Sequence, residues 1–292
     1  MKVNNLVVRD RQIHTEQFGS SQQPAIVLIS GAMATARFWD DEFCQALAEN
    51  YFVIRYDHRD IGESDGVDWQ VKPYSLVDLA DDAIAILDHY HIDQAHFVGH
   101  SMGGYVAQQL AVAYPHRVKS IVSISAGPIN ATVETEAPLT EEEQAKQQQA
   151  WQVFLSREDS LDKEKRIEGF MRVWRHLNGT YSLENDLARA FTLDLLDRNC
   201  HPFESGNNHE KLMQNVHDHL DQAERVVDKI QCPSLIINGS EDPMMLPRFG
   251  HAIANQITDS RLIIQPGMGH MLFNRDLQQV ILRAIYKHVS KI

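Results

Sequence analysis

The chain has little cysteine: Cys44, Cys200 and Cys232 are the three among 292 residues. They are odd in number, far apart and without C-x-x-C spacing. That excludes a disulfide framework and a cysteine zinc site, and it points to a reducing compartment. Long hydrophobic runs are also missing. Nowhere do about 20 apolar residues follow one another, so no segment is expected to cross a membrane as a helix. The opening MKVNNLVVRDRQIHTEQFG has no apolar stretch of the secretory kind and reads as strands. Positive charge is scarce as well, with 27 Lys and Arg against 40 Asp and Glu and a net charge of −13. A nucleic-acid surface needs a basic stripe, so that partner is excluded, and strongly anionic substrates are disfavoured. What remains is an acidic cytoplasmic protein whose 43% hydrophobic residues suffice for a large core.

What is present is an alternation. Two short strands are expected near 4–8 and 11–18. Apolar runs then alternate with helical patterns: AIVLIS (25–30), a helix near 38–50, FVIRYD (52–57), a helix near 76–90, HFVGH (96–100), a helix near 102–114, and SIVSISAG (120–127). Strands separated by helices of this length predict βαβ crossovers and a mostly parallel sheet with helices on both faces. The runs are almost wholly apolar, as strands covered on both sides must be. From 128 the pattern becomes helical. Thr140 and Glu143 make a capping box before Trp151, Phe154 and Leu155, and Ile167, Phe170, Met171 and Trp174 follow i, i+3, i+4, i+7 spacing. Another helical segment begins near Ser182 and carries Leu187, Phe191 and Leu195. Strands resume at SLIING (234–239) and RLIIQ (261–265), before a final helix near 274–289. The expected organisation is an α/β core, 1–129 with 216–292, and an inserted helical cap over 130–215.

The stretch AHFVGHSMGG (95–104) sets Ser101 between Gly99 and Gly103, after a strand and before a helix. Glycines on both sides let the backbone double back, so the pattern G-x-S-x-G in this context is a nucleophile elbow. A serine hydroxyl needs a base to take its proton. Of the 15 histidines, His270 is the candidate, because PGMGHML is a glycine-rich turn just past the last strand. His100 adjoins the serine, and neighbouring side chains diverge, so it is not taken as the base. The histidine needs a carboxylate to fix its tautomer. Asp242, in INGSEDP after the strand 234–239, fits better than the adjacent Glu241. The loop AGPIN after 120–127 carries no acid. The order Ser101, Asp242, His270 is the one expected of this arrangement. Oxyanion donors are then expected from the backbone N–H of Met102 and of Ala32 in SGAMATARFW, with Gly31 or Met33 as neighbouring alternatives. No metal or cofactor is called for.

With these motifs, the chain resembles the α/β-hydrolases over nearly its whole length. RYDHRDIGESD (55–65) is similar to the D-x-R-G-x-G-x-S turn of many members, and VIRYDHRD, GHSMGG and PGMGH look most like the aclacinomycin methylesterase group. The resemblance implies the α/β-hydrolase fold, ester chemistry and a triad of Ser101, Asp242 and His270. Two departures are visible: Ser30-Gly31 stands where His-Gly is common, and the cap sequence has no counterpart that identifies a substrate. Six of the nine methionines, Met33, Met102, Met244, Met245, Met268 and Met271, lie within three residues of a proposed site residue. They predict an adaptable apolar pocket, with Trp151, Phe154, Phe170 and Trp174 roofing it from the cap beside Met33, Met244 and Met271. The expected ligand is a small hydrophobic ester. A carbon–carbon bond hydrolase, a cofactor-free perhydrolase and a noncatalytic binding protein on the same fold are the alternatives.

Overall fold

The computed structural model describes residues 1–9, 11–129, 138–156, 161–198, 203–218 and 227–292. Eight strands form one sheet: β1 (Lys2–Val8), β2 (Arg11–Phe18), β3 (Ala25–Ile29), β4 (Phe52–Tyr56), β5 (Ala95–His100), β6 (Val118–Ile124), β7 (Ser234–Gly239) and β8 (Ser260–Gln265). Their spatial order is β1-β2-β4-β3-β5-β6-β7-β8. β1 and β2 pair antiparallel, as do β2 and β4; every later pairing is parallel. β3, β4, β5 and β7 are buried at every residue, which is why their sequences read as unbroken apolar runs.

The crossovers are helical. α1 (Asp41–Ala48) follows a 3-10 turn at Ala36–Phe38, and Asp40 starts it by accepting the Phe43 N–H at 3.0 Å. The single helix expected near 38–50 is thus two pieces, because an N-cap aspartate interrupts it. α2 (Leu76–His89) and α3 (Met102–Ala113) pack together against the sheet, and α1 packs with the last helix, Arg275–Val289.

Among the described residues, four helices lie between β6 and β7: α4 (Glu141–Leu155), α5 (Lys163–Leu177), α6 (Asn185–Arg198) and α7 (Phe203–Asp218). The capping box before α4 is formed, with Thr140 Oγ1 accepting from Glu143 N and the Glu143 carboxylate accepting from Thr140 N. Ile167, Phe170, Met171 and Trp174 of α5 and Leu187, Phe191 and Leu195 of α6 are buried, so both helices present the expected apolar faces inward. α7 runs past position 215 to Asp218, since Leu212 and Val216, one turn apart, keep an apolar face against the core. The expected boundary at 215/216 therefore falls inside a helix. The expected first cap residues, 130–137, and Cys200 lie outside the described residues. Cys44 is buried and Cys232 half-buried, and both are free thiols.

α8 (Pro247–Gln256) links β7 to β8, and α9 (Arg275–Val289) is capped by Asn274 Oδ1 on Leu277 N at 3.0 Å. α8 was not expected from the sequence. Pro247 and Gly250 in its first turn read as a loop, although Phe249, Gly250, Ile253 and Ala254 face inward.

Candidate active site

Parallel strands deliver their carboxyl ends to one edge of the sheet, and the candidate residues come from the ends of β5, β7 and β8. Ser101 follows β5 with φ 52° and ψ −119°, a strained left-handed backbone, and serves as the first residue of the α3 turn. The glycines make this bend possible by contact as well as by torsion. A methyl group at Gly99 would lie 1.9 Å from the Gly103 carbonyl oxygen, and one at Gly103 would lie 2.2 Å from that of Ile29. The half-buried hydroxyl of Ser101 thus stands at the head of α3, where unpaired N–H groups and the helix dipole favour negative charge.

Ser101 Oγ is 3.2 Å from His270 Nε2, and His270 Nδ1 donates to Asp242 Oδ2 at 2.9 Å. Asp242 is fully buried, and its other oxygen accepts the N–H groups of Met244 and Met245, each at 2.9 Å. The carboxylate is therefore fixed from both ends. Its bond to Nδ1 leaves Nε2 free to accept the serine proton. Glu241 is exposed, with its N–H spent on the Met268 carbonyl.

The turn bearing His270 is clasped by the end of α5 and the residues that follow it. The Leu177 carbonyl, at the end of α5, accepts the N–H groups of His270 at 2.6 Å and Met271 at 3.1 Å. Thr180 N donates to Gly267 O at 2.9 Å, and Gly179 forms a bridge with Met268. A methyl group at Gly269 would lie 2.3 Å from both Leu177 O and Gly179 N, which is why this turn is rich in glycine.

Of the oxyanion candidates, the N–H groups of Ala32 and Met102 have no acceptor among the described residues. A methyl group at Gly31 would lie 3.2 Å from Ser101 Cβ, so the loop after β3 runs directly past the serine. The Met33 N–H is already engaged, donating to His209 Nδ1 at 3.0 Å, which removes it as an alternative. Ser30, in the place where histidine is common, is buried and donates from Oγ to the Thr35 carbonyl at 3.0 Å, closing the loop on itself.

The expected pocket residues divide. Met33 on the oxyanion loop and Trp151 and Phe154 on α4 are half-buried, the last two edge to face at 5.9 Å. Met244 and Met271 are buried, and the Met244 carbonyl accepts from Gln147 of α4 at 2.8 Å. Phe170 and Trp174 stack at 5.6 Å inside a buried aromatic cluster with Phe191 and Phe273, and the Trp174 indole donates to Thr192 Oγ1.

Two histidines gain a place beside the site that the sequence did not assign. His100 Nε2 donates to the His270 carbonyl at 2.7 Å, while its ring stacks on Phe38 at 4.4 Å. Burial holds its pKa down to about 3, so it stays neutral and is not a base. His209 of α7 reaches the oxyanion loop. The signal for His100 was its position next to the serine; His209 had none, because its partner is far away in the chain.

The chain belongs to the α/β-hydrolase fold family, whose sequence model matches residues 24–274. It is similar to the rhodomycin D methylesterase DauP of Streptomyces sp. (strain C5), with 30% identity over 268 residues covering 88% of each chain. DnrP of Streptomyces peucetius, also a rhodomycin D methylesterase, is 29% identical with the same coverage. Among solved structures, the enol-lactonase from Burkholderia xenovorans LB400 matches 98% of this chain and 100% of its own, with a TM-score of 0.70 at 19% identity, a likeness of fold. The resemblance read from RYDHRDIGESD, GHSMGG and PGMGH therefore holds. No described helix is long and apolar enough to cross a membrane.

Proposed function

We propose that the chain is a serine carboxylesterase of the cytoplasm that cleaves small hydrophobic esters, methyl esters among them, through an acyl-enzyme. The observation that carries this reading is the continuous contact from Ser101 Oγ through the His270 ring to the buried Asp242 carboxylate. Two unengaged N–H groups beside the serine and relatives named methylesterase over most of the chain support it.

Ser101 gives its proton to His270 Nε2 as its oxygen adds to the ester carbonyl. Asp242 stabilises the resulting imidazolium without taking its proton. The carbonyl oxygen becomes an alkoxide held by the N–H groups of Ala32 and Met102 at the head of α3. Collapse of this intermediate expels the alcohol, which takes the proton from His270. A water molecule then repeats the sequence: His270 removes its proton, hydroxide adds to the acyl-serine, and the acid leaves as Ser101 is reprotonated. Two separated carbonyl-addition steps predict a burst of alcohol release when deacylation is slow.

The test is kcat/KM over p-nitrophenyl esters of increasing chain length and matched neutral and anionic methyl esters, with Ser101→Ala as control. Turnover of neutral short and medium esters, lost in Ser101→Ala, is expected. Absence of ester turnover with rapid cleavage of a vinylogous diketone would move the protein to the carbon–carbon hydrolases.

A further inference from the structure

His209 sits on α7, among the helices inserted between β6 and β7, yet it is wholly buried against the loop that follows β3. Its two ring nitrogens meet opposite backbone groups. Nε2 lies 3.0 Å from the Arg59 carbonyl, which can only accept, so the proton is on Nε2. Nδ1 then carries a bare lone pair, and it accepts the Met33 N–H at 3.0 Å. This pairing requires a neutral ring, and burial pushes the pKa down to about 4.

The same loop is held at its other end by His58, whose Nε2 donates to the Ser30 carbonyl at 3.1 Å. The rings of His58 and His209 meet edge to face at 5.8 Å. The Gly31–Ala32 segment, with the Ala32 N–H, is thus bracketed by one histidine at Ser30 and another at Met33. Met33 is in the left-handed region, φ 58°, where a non-glycine residue is strained and needs external restraint to stay. The acceptor supplied by His209 is such a restraint.

Resting on the reading of Ala32 and Met102 as oxyanion donors, we propose that His209 is a positioning residue for the oxyanion hole: α7 contributes the acceptor that fixes Met33 and thereby aims the Ala32 N–H. The hole is then a joint product of the core and the inserted helices, complete only when α7 is docked.

Two replacements separate the ring's two bonds. Gln at 209 keeps a donor able to reach the Arg59 carbonyl but offers no acceptor at the Nδ1 position; Asn keeps an acceptor there and loses the donor. Aimed donors matter most in the transition state, so His209→Gln should lower kcat by about 10- to 10²-fold with little change in KM. Its affinity for an alkylboronic acid, which becomes tetrahedral on the serine, should fall by the same factor as kcat/KM. His209→Asn should recover most of both. A folded His209→Gln protein with wild-type kcat and boronate affinity overturns the proposal, as does an equal loss in both variants that follows thermal stability alone.

Should His209→Gln fail to fold, exchanging Met33 for its α-hydroxy acid removes the same hydrogen bond and leaves every side chain in place. The same fall in kcat is expected, and an unchanged kcat refutes the proposal. Ser101→Ala is run beside them. Activity surviving in Ser101→Ala defeats the esterase reading, whereas an inactive Ser101→Ala with fully active position-209 variants defeats only the positioning role.

Discussion

His100 donates a hydrogen bond from Nε2 to the main-chain oxygen of His270 at 2.7 Å, so the residue before Ser101 steadies the turn that carries the candidate base. Replacing it with leucine strands that buried carbonyl, at a cost of about 1–3 kcal/mol, and frees the turn to drift. A drift of about 1 Å is enough to cost up to roughly 10²-fold in rate. His100→Leu should therefore lower kcat by about 10- to 10²-fold, and His100→Gln, which keeps a donor, should lose less. Steady-state kinetics with calorimetry on both variants checks this. Equal kcat in wild type and His100→Leu would remove the positioning role.

In the proposed mechanism, loss of the nucleophile Ser101 and loss of the orienting acid Asp242 should differ in kind. Ser101→Ala should reduce kcat by at least about 10³-fold and abolish labelling by a serine-directed phosphonate. Asp242→Asn should retain the fold while lowering kcat by up to about 10⁴-fold, because the histidine then presents the wrong tautomer. Glu241→Gln, at an exposed side chain, should be silent. A damaging Glu241→Gln with a mild Asp242→Asn would reassign the acid.

Gly269→Ala tests the clasp between α5 and the base. The new methyl group would press on Leu177 O and Gly179 N, both 2.3 Å away, and neither backbone atom can yield alone. Overpacking of this kind costs about 1–3 kcal/mol. The variant should melt lower and turn over more slowly, since the displaced turn carries His270. Unchanged melting and kcat would mean that the turn has more room than its geometry indicates.

Arg198 of α6 donates to the buried Asp57 carboxylate at 2.9 Å and pairs with Glu63 at 3.1 Å. Asp57 also accepts the Ala36 and Glu63 N–H groups, next to the 3-10 turn that follows the oxyanion loop. Arg198→Met leaves a buried carboxylate without its cation, a loss of about 3–5 kcal/mol. In the double variant Asp57→Asn, Arg198→Met the loss should be smaller than the sum of the single changes. Urea unfolding of the four proteins gives the coupling, and strict additivity would show that the pair does not interact.

Stability should decline on acidification. Burial holds His58 and His100 down to about 3 and His96 and His209 down to about 4, against 6.5 for an exposed ring. Between about 4 and 6.5 the unfolded chain binds more protons than the folded one, so their contribution is whole above 6.5 and shrinks as pH falls. Each histidine adds up to about 1.4 kcal/mol per pH unit in that window. The urea midpoint should therefore drop between about pH 7 and about pH 5. A flat profile would mean that the rings are hydrated.

The strands were legible because burial on both faces writes itself as unbroken apolar sequence, as in AIVLI and SLIING. Ser101, Asp242 and His270 were legible because each follows such a run, with glycine marking the bend. α8 escaped because Pro247 and Gly250 in its first turn read as a loop rather than a helix. The partners of His100 and His209 escaped for a different reason. His270 and Met33 lie 170 and 176 positions away, and contacts at that range leave no local pattern. The hold of α5 on the turn that carries His270 was visible only as unexplained glycines in PGMGH.

The helices inserted between β6 and β7 are translated after Ser101 and before Asp242 and His270. Ser101 and His270 are 169 positions apart. In the proposed mechanism, a growing chain that ends at α7 holds the serine but not yet the histidine that takes its proton or the aspartate that orients it. The turn that bears His270 in turn settles on a Leu177 carbonyl already made. The proposed chemistry therefore becomes available only late in synthesis, and a polypeptide interrupted before β8 is expected to be inert.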